Sequence, residues 1–201
     1  GETILANTAG VTFNSGGGDI LFSGVLNSGN QYTGVTSAQT WQGAVAHAKS
    51  GNGDQLGDTY LATVTSRLEN AIAGIAVNYA PSWLGGRRVT GIGTDSSWRW
   101  VTGPEGWHDS GKGLIFANGI SGTTPVDGAF TNWSLGEPNN SNGESAVQFV
   151  GAAGNWNDLN HNSTTLTQYV RETNLTPTAV TINAGTGSVT INGGVGGSKA
   201  L

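Results

Sequence analysis

The chain has 201 residues, a net charge of −5, and eight Lys and Arg against thirteen Asp and Glu, so it offers no basic face and argues against nucleic acid as a partner. With no cysteine it excludes thiolate-built zinc and iron–sulfur sites and a cysteine nucleophile. No apolar run approaches membrane-spanning length, so no membrane insertion is expected.

Thirty-four glycines without a Gly-X-Y period point to many turns and tight strands, and seven tryptophans are enough to fill a core. A small secreted domain without disulfides leans towards a bacterial surface protein. No signal peptide is visible, and the start at Gly1 reads as an excised fragment.

The first predicted elements come as a repeat. Residues 11–26 read VTFNSGGGDILFSGVL, and residues 180–195 read VTINAGTGSVTINGGV. Each copy is two short period-2 strands around a glycine turn. Val11, Phe13, Ile20 and Phe22 would share one face, as would Val180, Ile182, Val189 and Ile191. One such hairpin cannot bury its face alone, whereas stacked coils can. The copies are therefore expected to be neighbouring rungs of a β-solenoid-like sheet, with Val11 beside Val180. The expected division is a flanking β-repeat over 1–31, an inserted domain over 32–176, and the second part of the repeat over 177–201.

The insert opens with helical signals. Thr36-Ser37-Ala38-Gln39 has the pattern of a capping box, after which Trp41, Ala44, Val45 and Ala48 fall on one helical face, with Gly51 as the stop. A strand is expected over 60–64. Ser66-Arg67-Leu68-Glu69 is a second capping box, and Leu68, Ile72, Ile75, Ala76 and Tyr79 make an apolar stripe that Pro81 ends. Short strands are expected over 98–101, 146–150 and 168–171, among long loops. Two helices followed by a loop-rich antiparallel half read as α+β. Trp83, Trp98, Trp100, Trp133 and Trp156 are expected in the core, and Trp107 in a Gly-rich loop is a candidate platform for stacking on a sugar. Arg87 and Arg88 read as a solvated loop pair.

Residues 135–159, LGEPNNSNGESAVQFVGAAGNWNDL, concentrate acids and amides at both ends of an apolar strand. Hard cations take oxygen ligands, and Ca²⁺ accepts amide and backbone carbonyls beside carboxylates. Glu137, Asn139, Glu144, Asn157 and Asp158 supply such a set from two loops. Mg²⁺ would demand tighter octahedral geometry.

Glu137-Pro138-Asn139, a nearby Glu, an apolar strand and then Trp156-Asn157-Asp158 resemble the sugar-binding site of C-type lectin domains. The resemblance runs over residues 32–174. Trp41 and its helix, Tyr60-Leu61-Ala62-Thr63-Val64, the Ser66 helix, Ser82-Trp83-Leu84-Gly85-Gly86, Trp98-Arg99-Trp100 and Tyr169-Val170-Arg171-Glu172 come in that family's order. It implies a C-type lectin-like fold and Ca²⁺ as the cofactor, with Glu137, Asn139, Glu144, Asn157 and Asp158 as ligands of both ion and sugar. Two vicinal sugar hydroxyls would coordinate the ion while donating to carboxylates and accepting from amide NH₂ groups, which is why the residue types are mixed. In that family Glu-Pro-Asn goes with mannose-type sugars and Gln-Pro-Asp with galactose-type ones. The resemblance also implies a cis peptide before Pro138.

Three positions depart from the family pattern. The Glu137-to-Glu144 spacing is one residue shorter than usual. Asn140 and Ser145 stand where acids for an auxiliary Ca²⁺ often stand. Ala48 with Arg171, and Ala146 with His161, stand at the usual disulfide positions, each missing bridge forgoing about 2–4 kcal/mol. The implied partners are a mannose-type glycan on a cell surface or polysaccharide, and the rest of a longer repetitive chain. The expected role is non-enzymatic, as the binding module of an extracellular or cell-surface adhesin. The alternatives are a lectin-like fold that binds a protein or ice surface without sugar, and a glycoside hydrolase using Glu137 and Glu144 as its carboxylate pair.

Overall fold

The computed structural model describes residues 3–4, 11–22, 26–27, 30–50, 59–89, 96–151, 153–174 and 180–191. The chain divides into two compact units, Gly1–Gln31 with Asn174–Leu201, and Tyr32–Thr173.

The first unit is built from parallel pairs. Strand β1 (Thr3–Ile4) pairs with β4 (Leu26–Asn27). Strand β2 (Val11–Asn14) pairs with β14 (Val180–Asn183), and β3 (Ile20–Phe22) with β15 (Val189–Ile191). The register sets equivalent residues of the two copies side by side, Val11 against Val180 and Ile20 against Val189. Both turns are made alike: Asn14 Oδ1 accepts from Gly16 N at 3.0 Å, and Asn183 Oδ1 from Gly185 N at 2.9 Å. Asp19 Oδ1 then accepts from Ser188 N at 2.8 Å, joining the two turns. A Cβ on Gly187 would stand 2.3 Å from the Gly18 carbonyl oxygen, so the close approach of the turns requires glycine there. Gly24 and Gly193, which end the second apolar alternation of each repeat copy, lie outside the described residues.

The second unit holds a nine-stranded sheet. After β5 (Asn30–Thr36) come α1 (Trp41–Ser50), β6 (Thr59–Leu61), α2 (Arg67–Ala76), β7 (Ser82–Val89), β8 (Ser97–Trp100), β9 (Leu114–Asn118), β10 (Thr124–Pro125), β11 (Ala146–Val150), β12 (Asn155–Leu159) and β13 (Gln168–Asn174). The sheet runs β10-β9-β8-β7-β11-β12, and β13 pairs with β5, β6 and β7. The β5–β13 pairing sets the first and last strands of this unit side by side. Among the described residues no helix is long and apolar enough to cross a membrane.

Helix α1 buries Trp41, Ala44 and Ala48, the expected face, but starts later than the capping pattern predicts. Thr36 remains in β5, and Ser37 N donates to the Thr167 carbonyl at 2.8 Å, so the sheet claims that stretch. The cap is Thr40, whose Oγ1 accepts from Gly43 N at 3.1 Å. The expected stop at Gly51 lies outside the described residues. Helix α2 is capped as predicted, with Ser66 Oγ accepting from Glu69 N at 3.2 Å. Its buried face is not the predicted stripe: Asn70, Ala73 and Gly74 are buried, while Leu68 is 45% and Ile75 67% exposed. Gly74 carries the Tyr79 ring where a Cβ would stand 2.3 Å from it, and Asn70 is hydrogen-bonded inside. Helix α2 is thus fixed by close approach and polar contacts, which an apolar stripe does not register.

The core has two parts. Trp98, Trp100, Phe116, Phe149 and Trp156 fill one, and Trp41, Leu61, Trp83 and Tyr169 the other, with Trp133 packed partly buried against the first. Trp156 stands edge-on to Trp100, Phe116, Phe130 and Trp133 at 5.5–5.9 Å, contacts worth about 0.5–1.5 kcal/mol each beyond burial. At one of the two positions usual for a disulfide, Ser145 Oγ lies 2.9 Å from His161 Nδ1 beside Ala146.

Candidate functional site

The two acid-and-amide islands stand at neighbouring ends of one hairpin. Strands β11 and β12 pair antiparallel, with Val147 opposite Asp158 and Gln148 opposite Asn157. Burial alternates along β12, putting Trp156 and Asp158 on the inner face and Asn157 on the other. The Trp156 indole fixes this strand: its Nε1 donates to Asn70 Oδ1 at 2.8 Å. The loop before β11 is held to the same strand, since Trp156 N donates to the Asn132 carbonyl and Ser134 N to the Trp156 carbonyl, both at 2.8 Å.

Pro138 is buried and follows a cis peptide bond, as the resemblance implies. The next two residues turn their backbone N–H groups inward. Asn139 N donates to Asp158 Oδ1 at 3.0 Å and Asn140 N to Asp158 Oδ2 at 2.9 Å. Asp158 is wholly buried, and each of its oxygens keeps lone-pair capacity beyond the one N–H it accepts. Asn139 Nδ2 donates to Glu137 Oε1 at 2.9 Å, and Asn139 Oδ1 accepts from Ser141 N at 2.7 Å. Asn157 Nδ2 donates to the Asp158 carbonyl. A half-turn of that amide presents its oxygen to the same space.

Glu137, Asn139 and Asp158 are thus brought together, and Asn157 reaches the Asp158 main chain. Glu144 closes the loop: it follows the 3₁₀ turn Ser141–Gly143, and its carboxylate interacts with Asp158 and Glu137 through space without a hydrogen bond to either. Burial and the neighbouring Asp158 carboxylate push the Glu137 carboxyl above the ordinary Glu range. Burial, then Asp158 and Glu137, do the same to Glu144. Glu137 Oε2 is buried with no hydrogen-bond partner. A buried carboxyl oxygen without a donor, beside a second carboxyl group, is a place that a cation or a shared proton would stabilise.

The donor set fits a hard divalent ion. Every candidate ligand atom is an oxygen, and carboxylate, amide and main-chain oxygens are all present. Among the described residues no three His, Cys, Asp or Glu side chains form a group that could hold a metal, so an ion here would need amide and main-chain oxygens beside the carboxylates.

Sequence reasoning missed Arg88. Arg87 and Arg88 are not a solvated loop pair but part of β7. Arg87 stacks over the Trp41 ring at 5.3 Å, and Arg88 is only 9% exposed. Arg88 Nη2 donates to Asn140 Oδ1 at 2.5 Å and to the Glu144 carbonyl at 2.9 Å. The signal was available in part, because Arg-Arg directly continues the strand-forming Ser82-Trp83-Leu84-Gly85-Gly86. The partners, 52 and 56 residues further on, were not. Trp107 is 81% exposed in the 3₁₀ turn Pro104–Trp107, and its loop is held by Arg99, which pairs with Asp109 at 2.9 Å.

The fold and the site together define an α+β domain that carries a cluster of carboxylate and amide side chains on a loop tied to a hairpin. No protein-family profile matches the chain. Its sequence is 31% identical over 166 residues to Halomucin of Haloquadratum walsbyi (strain DSM 16790 / HBSQ001), a match over 80% of this chain and 2% of that protein. The chain therefore spans 2% of the length of the curated relative it matches. Similar solved structures include the cow C-type carbohydrate-recognition domain of CD23, in the presence of a GlcNAc2Man3 oligosaccharide. It is 22% identical, covers 71% of this chain and 86% of that one, and has a TM-score of 0.48. Herring type II antifreeze protein is also similar, at 20% identity over 74% of this chain and 94% of that one, with a TM-score of 0.49.

Proposed function

We propose that residues 32–176 form a C-type lectin-like domain that binds mannose-type glycans through Ca²⁺. The observation that carries this is the buried, donorless Glu137 Oε2 facing Asp158, within the Glu-Pro-Asn and Trp-Asn-Asp islands. Glu137, Asn139, Asn157 and Asp158 would hold the ion, with Glu144 drawn in to complete the shell as the ion binds. A bound Ca²⁺ would neutralise the carboxylates and accept the oxygens of two vicinal hydroxyls.

The chain's own groups supply the rest of the recognition. Glu137 and Glu144 accept from sugar hydroxyls, and the Asn139 and Asn157 amides donate to them. Glu-Pro-Asn rather than Gln-Pro-Asp supports mannose-type over galactose-type sugars. This is binding chemistry: an ion would hold both Glu137 and Glu144 ionised, leaving no general acid for glycoside hydrolysis. A glycan array with Ca²⁺ and with chelator tests the reading. Chelator-sensitive binding of mannose, glucose, N-acetylglucosamine or fucose termini is expected; chelator-insensitive binding or galactose-type hits alone would refute it.

The flanking unit supports a second part of the proposal. In-register parallel pairing of equivalent repeat residues is how rungs of a β-solenoid stack. Adjacent first and last strands suit a domain inserted into one loop of such a stalk. The match to a small part of the far longer Halomucin suits a module within a long chain. On this reading the protein is an extracellular or cell-surface adhesin that presents the lectin-like domain on a repetitive stalk. Removing residues 1–30 and 178–201 tests it, because the cysteine-free domain should then melt markedly lower; an unchanged Tm would reduce the flanks to linkers.

A further inference from the structure

We propose that Arg88 is a built-in cation that holds the loop over residues 137–145 in its binding shape and limits the site to one metal ion. The guanidinium, on the rigid strand β7, grips both ends of one turn: the Asn140 side chain at 2.5 Å and the Glu144 carbonyl at 2.9 Å. Between these anchors lies the 3₁₀ turn Ser141–Gly143. The turn holds a backbone conformation that an external contact helps to fix. Asn140 (φ 56°) and Asn142 (φ 52°) are non-glycine residues in the left-handed region.

The grip is continuous with the candidate ligands. Asn140, held by Arg88 through its side chain, donates its backbone N–H to Asp158 Oδ2 at 2.9 Å. Glu144, held through its carbonyl, carries the carboxylate at the loop's far end. The Arg88 backbone adds to the clamp, its N donating to the Ser145 carbonyl at 2.9 Å. A planar guanidinium suits this place, since its Nη2 group alone donates in two directions.

Charge balance sets the ion count. Glu137, Glu144 and Asp158 with Arg88 leave two negative charges, which one divalent ion cancels. A second divalent ion beside Arg88 would leave a surplus of positive charge next to the guanidinium, which like-charge repulsion disfavours. The one-ion count rests on the calcium reading above; the loop-holding role does not.

The test compares the wild-type chain with Arg88→Met and Arg88→Lys, first without ions and then with CaCl₂. In chelator, amide hydrogen exchange at residues 139–145 should speed up by about tenfold or more in Arg88→Met, as the loss of a charge-assisted hydrogen bond implies. Exchange in α1 and β13 should stay as in the wild type. Arg88→Lys, which keeps the charge but not the reach and planar geometry of the Nη2 group that makes both bonds, should fall between the two. Calorimetry should give one Ca²⁺ per wild-type chain, and a Kd weaker by about tenfold or more in Arg88→Met. If Arg88→Met does not fold, the Lys variant decides by the same two measurements. Unchanged loop exchange in a folded variant overturns the role of Arg88. Two ions per wild-type chain overturn the one-ion count. A wild type that takes up no Ca²⁺ refutes the calcium reading instead, and the ion-free exchange comparison still decides on Arg88.

Discussion

Asn139 N lies 3.0 Å from Asp158 Oδ1, a bond between residues 19 apart that ties the Glu-Pro-Asn island to the Trp-Asn-Asp island before any ligand arrives. With the matching bond from Asn140 N, one buried carboxylate organises the loop through its main chain. Asp158 therefore acts twice: it shapes the loop and contributes charge to the candidate ion site.

The two roles separate by substitution. Asp158→Asn keeps an acceptor oxygen but removes the charge, so it should abolish Ca²⁺ binding while leaving the melting curve cooperative. Asp158→Ala leaves two inward N–H groups without acceptors and should cost about 1–3 kcal/mol more than the Asn variant. Asn157→Asp should also abolish ion-dependent glycan binding in a folded chain. Wild-type affinity should be modest, with a Kd of about 10⁻⁴–10⁻³ M as in extracellular modules. Calorimetry and thermal melts on the same samples check all of this; an Asp158→Asn variant that still binds Ca²⁺ at wild-type strength contradicts it.

The bond from Asn139 Nδ2 to Glu137 Oε1, at 2.9 Å, makes a second prediction. Glu137→Gln with Asn139→Asp reverses donor and acceptor across this contact, so the pair stays hydrogen-bonded while the pattern facing a sugar is inverted. Preference should move from mannose-type towards galactose-type termini, with Ca²⁺ still required. An array in which the double variant keeps the wild-type ranking would show that selectivity resides elsewhere in the loop.

Much of this architecture was legible because it is written in local pattern. The repeat could be read because Val-Thr-(Phe/Ile)-Asn recurs, and the structure pairs those residues with one another. The capping box at Ser66 and the buried face of α1 were likewise local. Illegible features depend on partners distant in the chain. Thr36-Ser37-Ala38-Gln39 has a helix-start pattern, yet pairing of β5 with β13 keeps Thr36 in a strand. Arg88 looks solvated until a loop more than fifty residues away closes over it. Helix α2 turns inward a polar Asn70 and a small Gly74, and leaves Ile75 67% exposed, because Trp156 and Tyr79 supply what they need.

That inversion of α2 is testable. Asn70 Oδ1 accepts the Trp156 indole N–H at 2.8 Å, and Nδ2 donates to the Gly154 carbonyl at 3.1 Å. Asn70→Ala should cost about 1–3 kcal/mol, because it orphans the buried Trp156 indole N–H on the strand that carries Asn157 and Asp158, while the Gly154 carbonyl still accepts from Asn132 Nδ2. Ca²⁺ affinity should fall with it. Ile75→Ala on the exposed face should change stability by less than about 0.5 kcal/mol. Chemical denaturation of the two variants checks the ranking, and the reverse order would restore the apolar stripe as the packed face.

The last prediction concerns Glu172, which is 1% exposed on β13. Its Oε1 accepts from the Tyr60 hydroxyl at 3.0 Å, and its Oε2 from Thr63 N at 2.9 Å. The Thr63 hydroxyl lies 3.2 Å from Glu172 Oε2 and 3.0 Å from Glu105 Oε2, and its single proton serves only one of them at a time. Burial pushes the Glu172 carboxyl up to about 8; the Thr63 N–H and the Tyr60 hydroxyl oppose this, while the Glu105 and Glu69 carboxylates add to it. The folded state therefore holds a proton that the unfolded chain, titrating near 4.5, has already lost. Between those values protonation favours the folded state, so this contribution to stability is complete below the unfolded value. It is lost as pH rises towards about 8, at up to about 1.4 kcal/mol per pH unit. Glu172→Gln keeps the shape and removes the titration. Thermal melts in chelator at pH 5, 6.5 and 8 should show Tm of the Gln variant rising relative to wild type at each step. Parallel curves across that range would mean that Glu172 is already ionised in the folded protein, with its charge compensated inside the core.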